Sequence, residues 1–179
     1  MRIISGTLGG RRIQPPAQMP HTRPTTDMAK EGLFNMLQHN VDLSEIVSLD
    51  LFGGTGCISY ELASRGAKEL TIVEKDPKMY EFIKKTAAEL KISNLSLVRE
   101  EVFSYINHCQ KKFNFIFAGP PYALTTIDDL PIRIFNQGLL EKGGWFVLEH
   151  TPRNNYKKFD HYRTERNYGT TIFSIFIQD

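Results

Sequence analysis

The chain has 179 residues, 41% of them hydrophobic, with 22 Lys and Arg against 20 Asp and Glu. That length fits one domain with a single sizeable core, and a net charge of +2 excludes a protein that is basic over its whole surface. No apolar run is long enough to span a bilayer, and an opening of Arg2, polar residues and glycines is not a secretion signal. Cys57 and Cys109 lack C-x-x-C spacing, and the five histidines lack ligand spacing. The expectation is a cytoplasmic monomer with reduced packing thiols, no metal and no membrane segment.

In chain order, Arg2-Ile3-Ile4 and Arg11-Arg12-Ile13 flank Gly9-Gly10, the pattern of a hairpin. Pro15, Pro16, Pro20 and Pro24 then keep the backbone extended. Thr26 or Asp27 caps a helix whose apolar face is Ala29, Leu33, Phe34 and Leu37. From residue 46 the pattern is β-α-β. Ile46–Leu51 is a strand, followed by a glycine loop and a helix with Ile58, Leu62 and Ala63 that stops at Gly66. Leu70–Val73 is the next strand, and Asp76-Pro77 opens a helix. Strands follow at Leu95–Val98 and Phe113–Ala118, a helix opens at Asp128 or Asp129, and strands follow at Trp145–Leu148 and Thr170–Ile177. Such alternation predicts an α/β fold with a mostly parallel sheet, helices on both faces and an N-terminal β-hairpin. The expected division is an N-terminal arm over 1–26 and a main domain over 27–179.

Two motifs carry chemistry. Asp50-Leu-Phe-Gly-Gly-Thr-Gly56 is a glycine loop at the end of a strand, where the backbone can approach a ligand closely. It lacks the third glycine of a dinucleotide fingerprint and the lysine of a phosphate-binding loop. The next strand ends in Glu74, an acid placed to take both ribose hydroxyls of a nucleoside. Asp50 can meet the loop or an ammonium group. The second motif is Gly119-Pro120-Pro121-Tyr122. Its two prolines fix the backbone and aim carbonyls outward, and Tyr122 offers a flat face for a planar base or amide. An exocyclic amine is a poor nucleophile, so holding its N–H groups to orient the lone pair carries much of the catalysis. Arg2, Arg11, Arg12 and Arg23 precede the first acid, Asp27, and suit RNA phosphates. The alternative is a hairpin that covers a sheet edge with solvated arginines. A second basic stretch runs from Arg153 to Arg166.

These residues resemble the RsmD-like family of bacterial small-subunit ribosomal RNA guanine-N2 methyltransferases. The likeness extends over nearly the whole chain: Met1-Arg-Ile-Ile-Ser-Gly6, Gly10-Arg-Arg12, Thr22-Arg-Pro-Thr-Thr-Asp27, Glu31-Gly-Leu-Phe-Asn35, Asp50 to Gly56, Val73-Glu74 and Tyr168-Gly169. It implies a Rossmann-like methyltransferase fold, S-adenosyl-L-methionine as donor, and N2 of a guanine in 16S ribosomal RNA, free or in an assembling 30S subunit, as acceptor. It also implies donor contacts from Asp50, Phe52, Gly53, Gly54, Thr55, Gly56, Glu74, Lys75, Glu101 and Val102. Acceptor contacts would come from Gly119, Pro120, Pro121 and Tyr122, and RNA contacts from Arg2, Arg11, Arg12, Arg23 and Thr25. Three positions depart from the family pattern. Gly119 stands where the family has Asp, Glu101 where it has a shorter acid, and Thr86 where it has Asn. Gly119 implies slowed catalysis. It leaves open an impaired cofactor- and RNA-binding assembly factor, and the core motifs alone leave open an N6-adenine DNA methyltransferase.

Overall fold

A computed structural model describes residues 1–19 and 24–179. Arg23, Thr22 and Pro20 of the expected arm lie outside the described residues. The helices are α1 (Asp27–Asn40), α2 (Cys57–Ser64), α3 (Pro77–Glu89), α4 (Val102–His108) and α5 (Asp129–Gln137). The strands are β1 (Val47–Leu51), β2 (Glu69–Val73), β3 (Leu95–Val98), β4 (Phe113–Ala118), β5 (Leu140–His150), β6 (Tyr162–Tyr168) and β7 (Thr171–Ile177). They form one sheet in the order β3-β2-β1-β4-β5-β7-β6. The first five strands are parallel, and β7 and β6 are added antiparallel. This is the expected Rossmann-like architecture.

The buried pattern of each strand explains the two layers. Leu49, Leu51, Ile116 and Ala118 face one side, where they pack with Val102, Ile106, Leu130 and Ile134 of α4 and α5. Phe115, Phe117 and Val147 face the other, with Leu33, Phe34, Ile58 and Leu62 of α1 and α2. Thr26 caps α1 by accepting the Ala29 N–H at 3.2 Å, which decides between the two expected caps. Asp76 caps α3 through the Met79 N–H at 2.9 Å, with Pro77 in the first turn.

Two sequence motifs meet across the second layer. A Cβ on Gly32 would lie 2.1 Å from the Tyr168 hydroxyl oxygen, so any larger residue there would push that ring away from α1. Gly169, next to Tyr168, turns between β6 and β7 at φ +68°.

Three features differ from expectation. Strand β6 lies in the stretch read only as basic: its alternation is polar, and it sits at the sheet edge with water on one side. Helix α4 has only seven residues, too few for a periodic signal. The N-terminal turn is wider than a two-residue hairpin. Arg2 pairs with Arg12, and the connecting loop closes through Gly9 N–H to Gly6 O at 3.1 Å.

The N-terminal segment is fastened to the domain by a wholly buried carboxylate. Glu61 of α2 accepts the Ile4 N–H at 2.9 Å and the Ser5 N–H at 3.1 Å. Arg65 meets the same carboxylate at 2.9 Å and Lys30 at 3.9 Å, and the Lys30 ammonium also donates to the Arg2 carbonyl at 2.5 Å. Ile3 and Ile13 pack beneath the arm on Tyr60 and Leu90.

Candidate active site

The parallel register aligns Val73, Leu51, Ala118 and Leu148 in one row across β2, β1, β4 and β5. The residues that follow, Glu74, Phe52, Gly119 and Glu149, therefore emerge together at the carboxyl edge. Strand order reverses between β1 and β4, the place where a crevice forms in such sheets. A cavity of about 650 Å³ opens there, within the range of small-molecule sites. Asp50, Phe52–Thr55, Glu74–Pro77, Glu101, Val102 and Gly119–Leu124 all line it. The donor-loop and acceptor-corner residues expected from the sequence are thus brought to one cavity, Gly56 alone not being in its wall.

The loop after β1 is shaped by backbone conformations that most side chains avoid. Phe52, Gly54 and Gly56 have φ of +62°, +59° and +81°. A Cβ on Gly53 would come within 2.4 Å of Ile72 Cγ2, so the loop lies flat on β2 only without one. The Gly54 N–H donates to Glu74 Oε2 at 2.7 Å, and the Asp76 N–H to Glu74 Oε1 at 2.9 Å. Glu74 is only 8% exposed. Each oxygen keeps a further lone pair for a ligand.

Asp50 is buried beneath the loop, and Ser59 Oγ donates to its Oδ2 at 2.9 Å. Burial pushes its carboxyl well above the usual carboxylate range; the Ser59 hydrogen bond opposes this, and the charges of Glu74 and Glu149 add to it. Glu101 caps α4, accepting the Phe103 N–H at 3.0 Å and the Ser104 N–H at 2.7 Å. Its neighbour Val102 is buried and presents an apolar wall. Lys75 is exposed at the rim. In the Pro-Pro-Tyr corner Pro120 is buried, while Tyr122 is 42% exposed at the mouth.

The family model described as "Conserved hypothetical protein 95" matches residues 1–177. Ribosomal RNA small subunit methyltransferase D of Escherichia coli is 32% identical over 149 residues, covering 83% of this chain and 71% of that protein. The chain belongs to the RsmD-like family. The protein YlbH of Bacillus subtilis is 34% identical over 154 residues, covering 84% of this chain and 82% of its own. A solved Escherichia coli structure, yhhF, superimposes with a TM-score of 0.88 at 25% identity, over 100% of this chain and 98% of that one. The architecture of this RsmD-like chain is accordingly the Rossmann-like methyltransferase fold.

Of the expected RNA-contacting residues that the structure describes, Arg2, Arg11 and Arg12 share the arm, where Arg2 and Arg12 are bridge partners, and Thr25 lies apart from them. Arg11 and Arg12 are exposed on the arm, and Arg2 is exposed with its Nε 3.2 Å from Asp27. Thr25 is instead buried in the cavity wall, where its hydroxyl donates to Glu149 Oε2 at 2.7 Å. Sequence reasoning missed Glu149, which is 6% exposed and also lines the cavity. Its signal was present: an apolar strand ending in an acid, the same pattern that pointed to Glu74. Among the described residues no group of three or more His, Cys, Asp or Glu is arranged to hold a metal, and no helix is long and apolar enough to cross a membrane.

Proposed function

We propose that this chain is an S-adenosyl-L-methionine-dependent ribosomal RNA methyltransferase that acts on N2 of a guanine in 16S ribosomal RNA. The observation that carries this reading is the single carboxyl-edge cavity in which the glycine loop and Glu74 face the Pro120-Pro121-Tyr122 corner. The name of the Escherichia coli relative supports the class of acceptor.

The cavity suits a nucleoside donor. Glu74 has acceptor capacity left for ribose hydroxyls, and Val102 and Phe52 supply apolar surface for a planar base with Glu101 at its edge. Gly53 to Gly56 allow close approach of the backbone, and Asp50, Thr55 and Lys75 complete the donor side. The donor supplies a methyl carbon made electrophilic by a positively charged sulfur. On the acceptor side, a carbonyl of the Pro120-Pro121 corner holds one N–H of the amine, and Tyr122 stacks on the base. A base must leave its stack to enter such a corner. Arg2, Arg11 and Arg12 of the 1–26 arm contact phosphates beside the cavity, and Arg23, outside the described residues, is expected to do the same. Thr25 acts at the join between the arm and the 27–179 domain. The protein works as a cytoplasmic monomer on free or particle-bound RNA.

Gly119 favours a second reading, a cofactor- and RNA-binding assembly factor with little catalysis. Transfer of labelled methyl from S-adenosylmethionine to unmethylated 30S particles, to their naked RNA and to duplex DNA tests both. Label in the ribosomal RNA alone supports the methyltransferase. Donor and RNA binding without transfer would support the assembly factor, and label in DNA would support an adenine-type enzyme.

A further inference from the structure

Gly119 and Glu149 are delivered side by side by adjacent strands. Ala118 of β4 and Leu148 of β5 are register partners, and each of the two residues follows its partner at the carboxyl edge. A Cβ built on Gly119 would lie 3.6 Å from Glu149 Oε2 and 3.1 Å from Phe117 Cε1. The backbone at Gly119 is outside the left-handed region, so the chain path does not demand glycine there. What glycine provides is room beside the carboxylate of Glu149, a residue that is 6% exposed and lines the cavity. The Thr25 hydroxyl, itself buried, fixes Oε2 with its 2.7 Å hydrogen bond.

We propose that Glu149 supplies the carboxylate that the Pro-Pro-Tyr corner lacks, by accepting an N–H of the acceptor amine from the neighbouring strand. The inference rests on the methyltransferase reading above. A glutamate is one methylene longer than an aspartate, and here it brings its oxygen to within ordinary contact distance of the point where a side chain at 119 would begin. The chemistry it assists is balanced as follows. The N–C bond forms from the nitrogen lone pair while the C–S bond breaks, its electron pair leaving on sulfur. The nitrogen becomes positively charged and sheds one N–H proton. Glu149 holds that N–H as the charge develops and receives the proton. A negative charge aimed at a cation that forms only in the transition state is the arrangement that accelerates transfer.

The test uses the full chain as wild type, E149Q, G119D and the E149Q/G119D double variant. Single-turnover methylation of unmethylated 30S particles is read beside donor affinity by calorimetry and RNA affinity by filter binding. E149Q should lower the rate by about 10²–10³ with both affinities unchanged. G119D should restore at least about tenfold of that loss in the E149Q background and much less in the wild type, where two carboxylates would share one corner. E149D keeps the charge, withdraws the oxygen, and should also be slow; it serves if E149Q does not fold. Wild-type rates in E149Q or E149D would overturn the proposal, as would a loss of rate explained by lost donor or RNA affinity. A wild-type chain that binds the donor but methylates no ribosomal RNA would instead overturn the methyltransferase reading, and the role of Glu149 with it.

Discussion

Glu74 Oε2 accepts the Gly54 N–H at 2.7 Å, tying the tip of β2 to the loop that leaves β1. One carboxylate thus both shapes the glycine loop and faces the cavity that the loop encloses. Gly54→Asp should abolish donor binding, because Gly54 adopts φ +59° and an added carboxylate would crowd Glu74. Glu74→Ala should weaken binding by about tenfold or more, through the loss of charge-assisted contacts of order 1.5–3 kcal/mol. Isothermal calorimetry with S-adenosylmethionine checks both; unchanged affinity in the two variants would contradict the assignment.

The arm offers a separate test. Arg11 and Arg12 are exposed and take part in no salt bridge with described residues, so their charge is available to phosphates. The double reversal Arg11→Glu, Arg12→Glu should weaken RNA binding and flatten its dependence on salt, leaving donor affinity intact. RNA affinity that survives the reversal across a salt series would make the arm purely structural.

Glu61 should decide whether the arm stays in place. It is 0% exposed and holds the Ile4 and Ser5 N–H groups together with Arg65 and Lys30. Glu61→Ala leaves two cations without their carboxylate, a change that costs about 3–5 kcal/mol when an ion pair is buried. Chemical denaturation should show that loss, and amide exchange should speed up first at Ile4 and Ser5. Slow exchange at both amides in the variant would show that other contacts hold the arm.

Asp50 predicts a pH dependence with a defined sign. Its folded-state pKa is raised, chiefly by burial, so the folded state binds the proton more tightly than the unfolded chain. Stability from this group is therefore greatest below the unfolded value of about 3.9, falls as pH rises from there to the raised folded value, and is level above it. Asp50→Asn should remove that fall, so that the variant gains on the wild type as pH rises through this window. Denaturation midpoints measured across acid to neutral pH check this; a wild type that gains on the variant with rising pH would contradict it.

The apolar strands were legible in the sequence because the central parallel strands are buried on both faces. Phe113–Ala118 has the expected bounds, and β1 and β2 differ from expectation by one residue; the edge strand Leu95–Val98 also has its expected bounds, read from its own apolar residues and not from burial. Strand β5 runs farther than expected because it begins at Leu140, before the Gly143-Gly144 pair that reads as a break. The polar edge strand β6 was not legible, since only pairing with β7 makes Tyr-Arg-Thr-Glu-Arg-Asn-Tyr a strand. The glycine loop, Glu74 and the Pro-Pro-Tyr corner were legible as local patterns. Glu149 was legible only as an acid after an apolar strand; its place beside Gly119 was not, because that arises from the β4–β5 register across thirty residues of chain. For the same reason Thr25, read as part of a surface arm, is found inside the cavity wall.

The most direct test of the whole account is the identity of the methylated nucleoside. Unmethylated 30S particles are incubated with the purified chain and labelled S-adenosylmethionine, and their 16S ribosomal RNA is digested and resolved by mass spectrometry. The account predicts a single labelled product, N2-methylguanosine. Labelled N6-methyladenosine, or no labelled nucleoside from a chain that binds the donor, would contradict it.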